Sequence, residues 1–447
     1  MKGEMNLKDT IAAISSPRGT GAIAIIRIDG EKSHEIAKKI TGLENVEFKR
    51  VYHRLIKYEN EILDDANIVF YKSPNSYTGN DLVEIYCHGG ILVTHKILDV
   101  ILNEGARLAE RGEFTKRAFL NGKLSLIQAE AIYQIIEAKS ELSLKISLEN
   151  LRGKLGKEIE EFRNRLLHVL AEIEVSIDYP DDIESDNNLI VNELNEIYKL
   201  ISEKVKKSKK GMHLSSGIIM TIVGKPNSGK STLLNRLLYE DRAIVTDIPG
   251  TTRDVIKGEI DISGVHFVIV DTAGIRETDD PIEKIGIERS LKEIQKADII
   301  LFVLDATTGF TEEDSFIFDQ IKNYNFLPVW NKCDVGNKIN KFQEESVKIS
   351  AINGTGLRDL ERTIIEKVRD IIESGETSHV TTQRQLEILE RVNQYIKSAL
   401  KNFEIGYELD IISIDIRKAL EELDTLLGRK FSEDLLDTIF SNFCVGK

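Results

Sequence analysis

One short segment constrains this chain more than any other: Gly224-Lys-Pro-Asn-Ser-Gly229-Lys230-Ser231. It fits G-x-x-x-x-G-K-S/T and sits where that pattern has to sit, between a strand and a helix. The apolar run Ile218–Val223 reads as a buried strand, and Thr232-Leu-Leu-Asn-Arg-Leu-Leu reads as a helix. Glycines let such a backbone wrap phosphates, while successive amides and the helix N-terminus supply positive potential. Lys230 is placed to reach β- and γ-phosphates, and the Ser231 hydroxyl to ligate Mg²⁺. Asn227, Ser228, Gly229 and Thr232 complete the candidate cradle.

Three further motifs follow in order. Asp271-Thr272-Ala273-Gly274 closes an apolar strand, so its Asp can hold the Mg²⁺ shell and its Gly can offer an N–H to the γ-phosphate. Asn331-Lys332-Cys333-Asp334 closes a later one. A carboxylate at Asp334 can accept from both the ring N–H and the exocyclic amine of guanine, a pattern adenine cannot donate. Cys333 fills the variable position of that motif, and Ser350-Ala351 comes next. Together these resemble the guanine-nucleotide motifs of the translation-factor-related GTPases. Strand runs at 218–223, 265–270, 299–304 and 326–330 alternate with helical stretches, and Ser263-Gly264 turns a hairpin. Such alternation predicts a mainly parallel, doubly wound sheet.

The hydrolytic machinery is less conventional. A Ras-like protein orients water with a Gln after D-x-A-G; this chain has Ile275 there. Glu277, Asp279, Asp280 and Glu283 offer carboxylates just downstream. Upstream, Thr246-Asp247-Ile248-Pro249-Gly250-Thr251-Thr252-Arg-Asp carries Thr252, a candidate to close over Mg²⁺. Its main-chain carbonyls, with the Asn227 side chain, could ring a monovalent cation that neutralises transition-state charge.

Composition narrows the rest. At 447 residues the chain has room for about three domains. A net charge of −14 argues against a non-specific nucleic-acid binder but leaves a local RNA patch open. Three scattered cysteines, Cys87, Cys333 and Cys444, form no disulfide or zinc pattern, and a reducing cytoplasm fits them. No apolar run reaches the roughly 18 residues of a membrane span, so no membrane role is expected. Residues 1–120 read as mixed α/β, and 124–177, 190–210 and 382–447 as helical. The basic run Lys204, Lys206, Lys207, Lys209 and Lys210 reads as a solvated helix end or linker, with RNA contact the minority alternative. On residues alone Arg27 and Glu84 read as a strand surface pair, and His88 as a buried structural histidine.

The chain as a whole resembles the MnmE (TrmE) family of tRNA-modification GTPases. The segments that carry this are Asp9-Thr-Ile-Ala-Ala-Ile, Gly21-Ala-Ile-Ala-Ile-Ile-Arg27, Ser76-Tyr-Thr-Gly, Glu84-Ile-Tyr-Cys-His-Gly-Gly90 and Arg111-Gly-Glu-Phe-Thr-Lys-Arg-Ala-Phe-Leu-Asn-Gly-Lys123. Gln128-Ala-Glu-Ala131, the Thr246–Asp254 loop and Phe443-Cys-Val-Gly-Lys447 add to them. Departures are small: Ser228 where Val is common, and Val445 where Ile is common. The resemblance implies a multidomain α+β and α/β chain. Residues 1–120 would be a tetrahydrofolate-binding, homodimerising α/β domain. Residues 121–213 and 379–447 would form a helical domain, with a Ras-like GTPase domain, 214–378, inserted.

The resemblance also implies partners and site residues. The family acts with an MnmG-like flavoprotein, as a heterotetramer, on the wobble uridine of tRNA. Together they install an aminomethyl or carboxymethylaminomethyl group at carbon 5. A 5,10-methylene-tetrahydrofolate gives the one-carbon unit, 5-formyl-tetrahydrofolate serves as its analogue, and FAD and NADH belong to the partner. Folate positions fall on Arg27, Glu84, Lys123 and Lys447. Potassium falls on Asn227, Thr246, Ile248 and Thr251, Mg²⁺ on Ser231 and Thr252, and the water-orienting carboxylate on Glu283. Cys444 is placed near the folate, with a possible covalent or protonic role; a packed terminal thiol is the plainer reading. A ribosome-assembly or regulatory GTPase is the rival that the nucleotide motifs alone fit equally well.

Overall fold

The computed structural model describes residues 9–17, 19–59, 61–179, 187–239, 257–271 and 292–447. The chain divides into two compact units, Met1–Tyr133 with Leu423–Lys447, and Gln134–Glu422.

The first unit is built on a six-stranded sheet. Its strands are β1 (Ile11–Ile14), β2 (Ile23–Asp29), β3 (Val51–Tyr58), β4 (Glu61–Tyr71), β5 (Leu82–His88) and β6 (Arg107–Leu108), in the order β3-β4-β5-β2-β1-β6. Every pairing is antiparallel except β1 with β6. Alternation along β2 decides which residues go where, because successive strand side chains point to opposite faces. Ala24, Ile26 and Ile28 are buried in one core with Ile36 and Ile40 of the helix Ser33–Thr41 and Ile97 and Ile101 of the helix Ile91–Asn103. Arg27 therefore takes the other face, directly opposite Glu84 of β5.

The last residues of the chain belong to this same unit. Phe440 and Phe443 pack with Phe119, Leu126 and Leu436, and Val445 packs against Ile11, Ala13, Ala109 and Phe114. Gly446, at φ 93, runs against β1: a β-carbon there would sit 2.4 Å from the Ile14 carbonyl oxygen. Ser15 donates to the Gly446 carbonyl at 2.8 Å, and Phe114 N–H to that of Lys447 at 3.2 Å.

The second unit carries the other six-stranded sheet: β7 (Ile218–Val223), β8 (Lys257–Ile262), β9 (Val265–Asp271), β10 (Ile299–Asp305), β11 (Phe326–Asn331) and β12 (Val347–Lys348). The order is β12-β11-β10-β7-β9-β8, parallel throughout except for the β8–β9 hairpin. The expected doubly wound sheet is thus present. Central β10 is buried along its whole length, which explains why it reads as an unbroken apolar run. Its ends and those of β7 and β11 point the same way, so the loops after them share one edge.

Helices accompany this sheet in the second unit. Lys154–Asp178 stops where Asp178-Tyr-Pro supplies a breaker, and Asn187–Gly211 follows. The latter lies so close to the helix Arg369–Ser378 that a β-carbon on Gly211 would come 2.3 Å from Gly375 Cα. Most of the basic run on Asn187–Gly211 is solvated as expected, with Lys206, Lys207, Lys209 and Lys210 exposed. Lys204 is buried and paired with Glu158, Lys209 pairs with Glu390, and Lys210 stands 3.8 Å from Asp370. Lys204 alone departs from the solvated reading, because a packed helix brings Glu158 to it. No described helix is long and apolar enough to cross a membrane.

Candidate functional site

Two candidate sites emerge, one in each unit. In the second unit, residues Gly224–Gly229 turn from β7 into the helix Lys230–Tyr239. Asn227 holds a left-handed backbone, φ 61, which Asn tolerates better than most residues. Gly229 must be glycine on space alone, since a β-carbon would meet Asn331 Nδ2 at 2.1 Å. Lys230 Nζ donates to the carbonyls of Gly224 and Lys225, at 2.8 and 2.9 Å, and so lies in the curl of the loop. Ser231 and Thr232 are exposed at the start of the helix.

The base-reading motif locks onto this loop through two side chains. Asn331 Nδ2 donates to the Ser228 carbonyl at 2.9 Å, and its Oδ1 accepts the Ala351 N–H at 3.0 Å. One amide thus joins three motifs that lie far apart in sequence. Lys332 Nζ donates to the Asn227 carbonyl at 2.6 Å and to Asp305 Oδ2 at 2.7 Å. Burial disfavours charge on Asp305, but Lys332 and the Thr307 hydroxyl and amide outweigh it and hold the carboxyl below its ordinary range. Asp334 is exposed beside them, and Ser350 is buried, its N–H bonded to the Thr355 carbonyl at 3.0 Å. Cys333, at the variable position, donates its thiol to the Trp330 carbonyl at 3.2 Å, and burial raises its pKa. Asp271 ends β9 opposite Ile222 of β7, two residues before Gly224. Thr246, Asp247, Ile248, Pro249, Gly250, Thr251, Thr252, Thr272, Ala273, Gly274 and Glu283 lie outside the described residues, as does Ile275.

The first unit gathers a different chemistry. Arg27 Nε donates to Glu84 Oε1 at 2.8 Å, with both side chains mostly buried (17% and 11% exposed). Glu84 Oε2 accepts from Tyr86 OH at 2.7 Å and from Tyr71 OH at 3.4 Å. The Arg27 guanidinium lies 5.4 Å from the centre of the Tyr77 ring, and Tyr77 OH meets Thr115 Oγ1 at 2.9 Å. Lys447 arrives from the far end of the chain. Burial, and then the nearby Arg27 charge, hold its amine below the ordinary lysine value. Lys123 donates to the Pro74 carbonyl at 3.0 Å, at the start of the loop that carries Tyr77. Cys444 is exposed rather than packed, while the Cys444 carbonyl accepts the Gly112 N–H at 3.3 Å.

Sequence reasoning missed the three tyrosines. Tyr86 was findable, since it sits two residues from Glu84 on one strand face; Tyr71 and Tyr77 reach the site only through tertiary structure. His88 also differs from expectation. Its side chain is 71% exposed, at the end of β5, and is pinned by Asp64 through Nδ1 (2.6 Å) and through its own N–H (2.7 Å). Two residues along β2 from Arg27, on the same face, Asp29 is fully buried and paired at 2.9 Å with the equally buried Arg117. Arg117 also holds Asp9 and Glu113, and burial pushes Asp29 upward despite Thr78, Asn80 and Arg117.

Comparison with known proteins spans both units. A model of the GTP-binding protein TrmE N-terminus matches residues 10–123, and a model of the MnmE helical domain matches residues 126–444. The "tRNA modification GTPase MnmE" of Thermosipho melanesiensis is 70% identical over 98% of this chain and 100% of its own length. That of Fervidobacterium nodosum is 59% identical over 100% of this chain and 99% of its own. Among solved structures, Aquifex aeolicus Era bound to GDP and aluminium fluoride is 31% identical, at TM-score 0.29, over 40% of this chain and 66% of that one. With both family models matched and relatives of this identity along its whole length, the chain belongs to the MnmE family of tRNA modification GTPases.

Proposed function

We propose that this protein is the GTP-hydrolysing half of a cytoplasmic wobble-uridine modification enzyme. With an MnmG-like flavoprotein carrying FAD and NADH, it installs an aminomethyl or carboxymethylaminomethyl group at carbon 5 of certain tRNAs. The observation that carries this reading beyond a plain GTPase is the cluster of Arg27, Glu84 and Lys447. Two cations lie together there, and one of them resists its charge. An anionic ligand relieves that cost, and the glutamate tail of a folate is such a ligand. Glu84 offers a carboxylate to a flat donor array such as a pterin, and Tyr77 offers a ring beside it. The site thus fits 5,10-methylene-tetrahydrofolate, which supplies the one-carbon unit when bound; Lys123 is the outer cation. Cys444, being exposed, is open to a covalent or protonic role.

In the GTPase unit, Lys230 neutralises the β- and γ-phosphates of GTP, and Asp334 reads guanine. Ser231 and Thr252 hold Mg²⁺, while Asn227, Thr246, Ile248 and Thr251 hold K⁺, which supplies positive charge where an arginine finger would. Glu283 orients water in place of the Gln absent at Ile275. The chain works as a homodimer whose GTPase domains pair during hydrolysis, within a heterotetramer.

Nucleoside mass spectrometry of tRNA from cells lacking the gene tests the whole reading. The wobble modification should vanish, return with wild type, and stay absent with Lys230→Ala. Unchanged tRNA in the deletion overturns it. Titration with 5-formyl-tetrahydrofolate should give binding that Glu84→Ala removes. GTP turnover should rise when Na⁺ is replaced by K⁺.

A further inference from the structure

The phosphate loop contains a second lysine that the nucleotide chemistry leaves unused. Lys225 follows Gly224, and its side chain is only 9% exposed. Its ammonium reaches the segment after β10, donating to Asp314 Oδ2 at 2.9 Å, Thr308 Oγ1 at 2.9 Å and Thr311 Oγ1 at 3.1 Å. Three acceptors match the three donors of an ammonium. Asp314 is fully buried, and the same oxygen accepts the Thr311 N–H at 2.9 Å, capping the helix Glu312–Ile321. Capping needs no lysine. A buried ion pair also gains little net stability over an apolar pair of similar volume. What it does supply is a fixed distance between the loop and the helix.

That distance bears on the phosphates. The Lys225 carbonyl accepts from Lys230 Nζ and from the Ser228 N–H at 3.3 Å. The residue that holds the phosphate lysine is therefore itself held from behind. At the other end of the same segment, Asp305 holds Lys332, which reaches the Asn227 carbonyl. The 305–314 segment braces the loop at residues 225 and 227 together, tying the base-reading motif to the phosphate cradle. We propose that Lys225 is a positioning residue: its bridge to Asp314 preorganises the phosphate loop for nucleotide. Preorganised donors bind more tightly because less is lost in ordering them.

The test is titration of the full chain with a fluorescent GDP, alongside thermal unfolding, for Lys225→Met, Asp314→Leu and the double variant. Each single variant leaves a buried charge unpaired, so both should melt earlier and bind GDP about tenfold more weakly, a shift of about 1.4 kcal/mol. The double variant has no buried charge left and should melt later than either single variant, short of wild type only by the lost Asp314 cap, while GDP binding stays about tenfold weak. Recovery of affinity together with stability in the double variant would mean a merely structural pair, and so would single variants that bind GDP within about twofold of wild type. Should neither single variant fold, the double variant decides. Thr308→Val keeps the ion pair and removes one acceptor. It should weaken GDP about threefold at unchanged melting temperature, and unchanged affinity there also overturns the proposal.

Discussion

The two sites are assembled in opposite ways. The nucleotide site rests on a parallel sheet, where β7, β10 and β11 all end at one edge. Each motif follows its own strand, so short contiguous segments are delivered to one place by topology alone. The Arg27–Glu84 site rests on an antiparallel sheet, which delivers residues to both edges and both faces. Its parts come from β2, β5, the loop carrying Tyr77 and the last residues of the chain, with Ser15 and Gly446 in contact across 431 positions. A parallel sheet can thus write a site as a string of motifs. An antiparallel one needs tertiary closure.

The widest separation between the sites should come from Lys230→Ala. Phosphate release from GTP should fall about 10³-fold, as when a preorganised charge is removed from a transition state, with 5-formyl-tetrahydrofolate binding unchanged. Loss of both activities together would break the comparison. Next comes Arg117→Met, which strands the buried Asp29 carboxylate. Calorimetry should show the first unit destabilised by about 3 kcal/mol or more while GDP still protects the second. Glu84→Ala should weaken 5-formyl-tetrahydrofolate about 30-fold, roughly 2 kcal/mol, and leave GTP hydrolysis intact.

A smaller effect should follow pH. The Asp305 pKa is lowered in the folded state, so its contribution is complete above the ordinary carboxylate value, near 4, and is lost as pH falls through the lower folded value. Wild type should melt later than Asp305→Asn at pH 7, and acidification below about pH 4 should close the gap. A gap that persists in acid would place the effect elsewhere. Least of all, Cys333→Ser keeps a donor toward the Trp330 carbonyl and should shift stability by no more than about 0.5 kcal/mol.

Legibility followed the same divide. The strand at 218–223, the 265–270 hairpin arm and the helical stretch after Asn187 were readable because each announces its own period and its own breaker. Lys230, Asn331 and Asp334 were readable because their spacing is local. Tyr71 and Tyr77 were not, since nothing near them in sequence says that they meet Arg27 or Glu84. His88 was misplaced because it is the last residue of β5, where burial stops at Cys87 and the ring stands in solvent beside Asp64. Lys204 was misjudged the other way: a lysine in a charged run looks solvated until a packed helix brings Glu158 to it.

What the sequence determined by itself is the nucleotide chemistry, because phosphate and guanine are read by contiguous backbone and by side chains a few residues apart. Tertiary structure decided that Lys447 is half-buried near Arg27, and that Asn331 joins the phosphate loop to Ala351. It also decided that Lys225 is held by Asp314. These depend on charges brought out of water by packing, and burial is a property of the folded chain rather than of any segment within it.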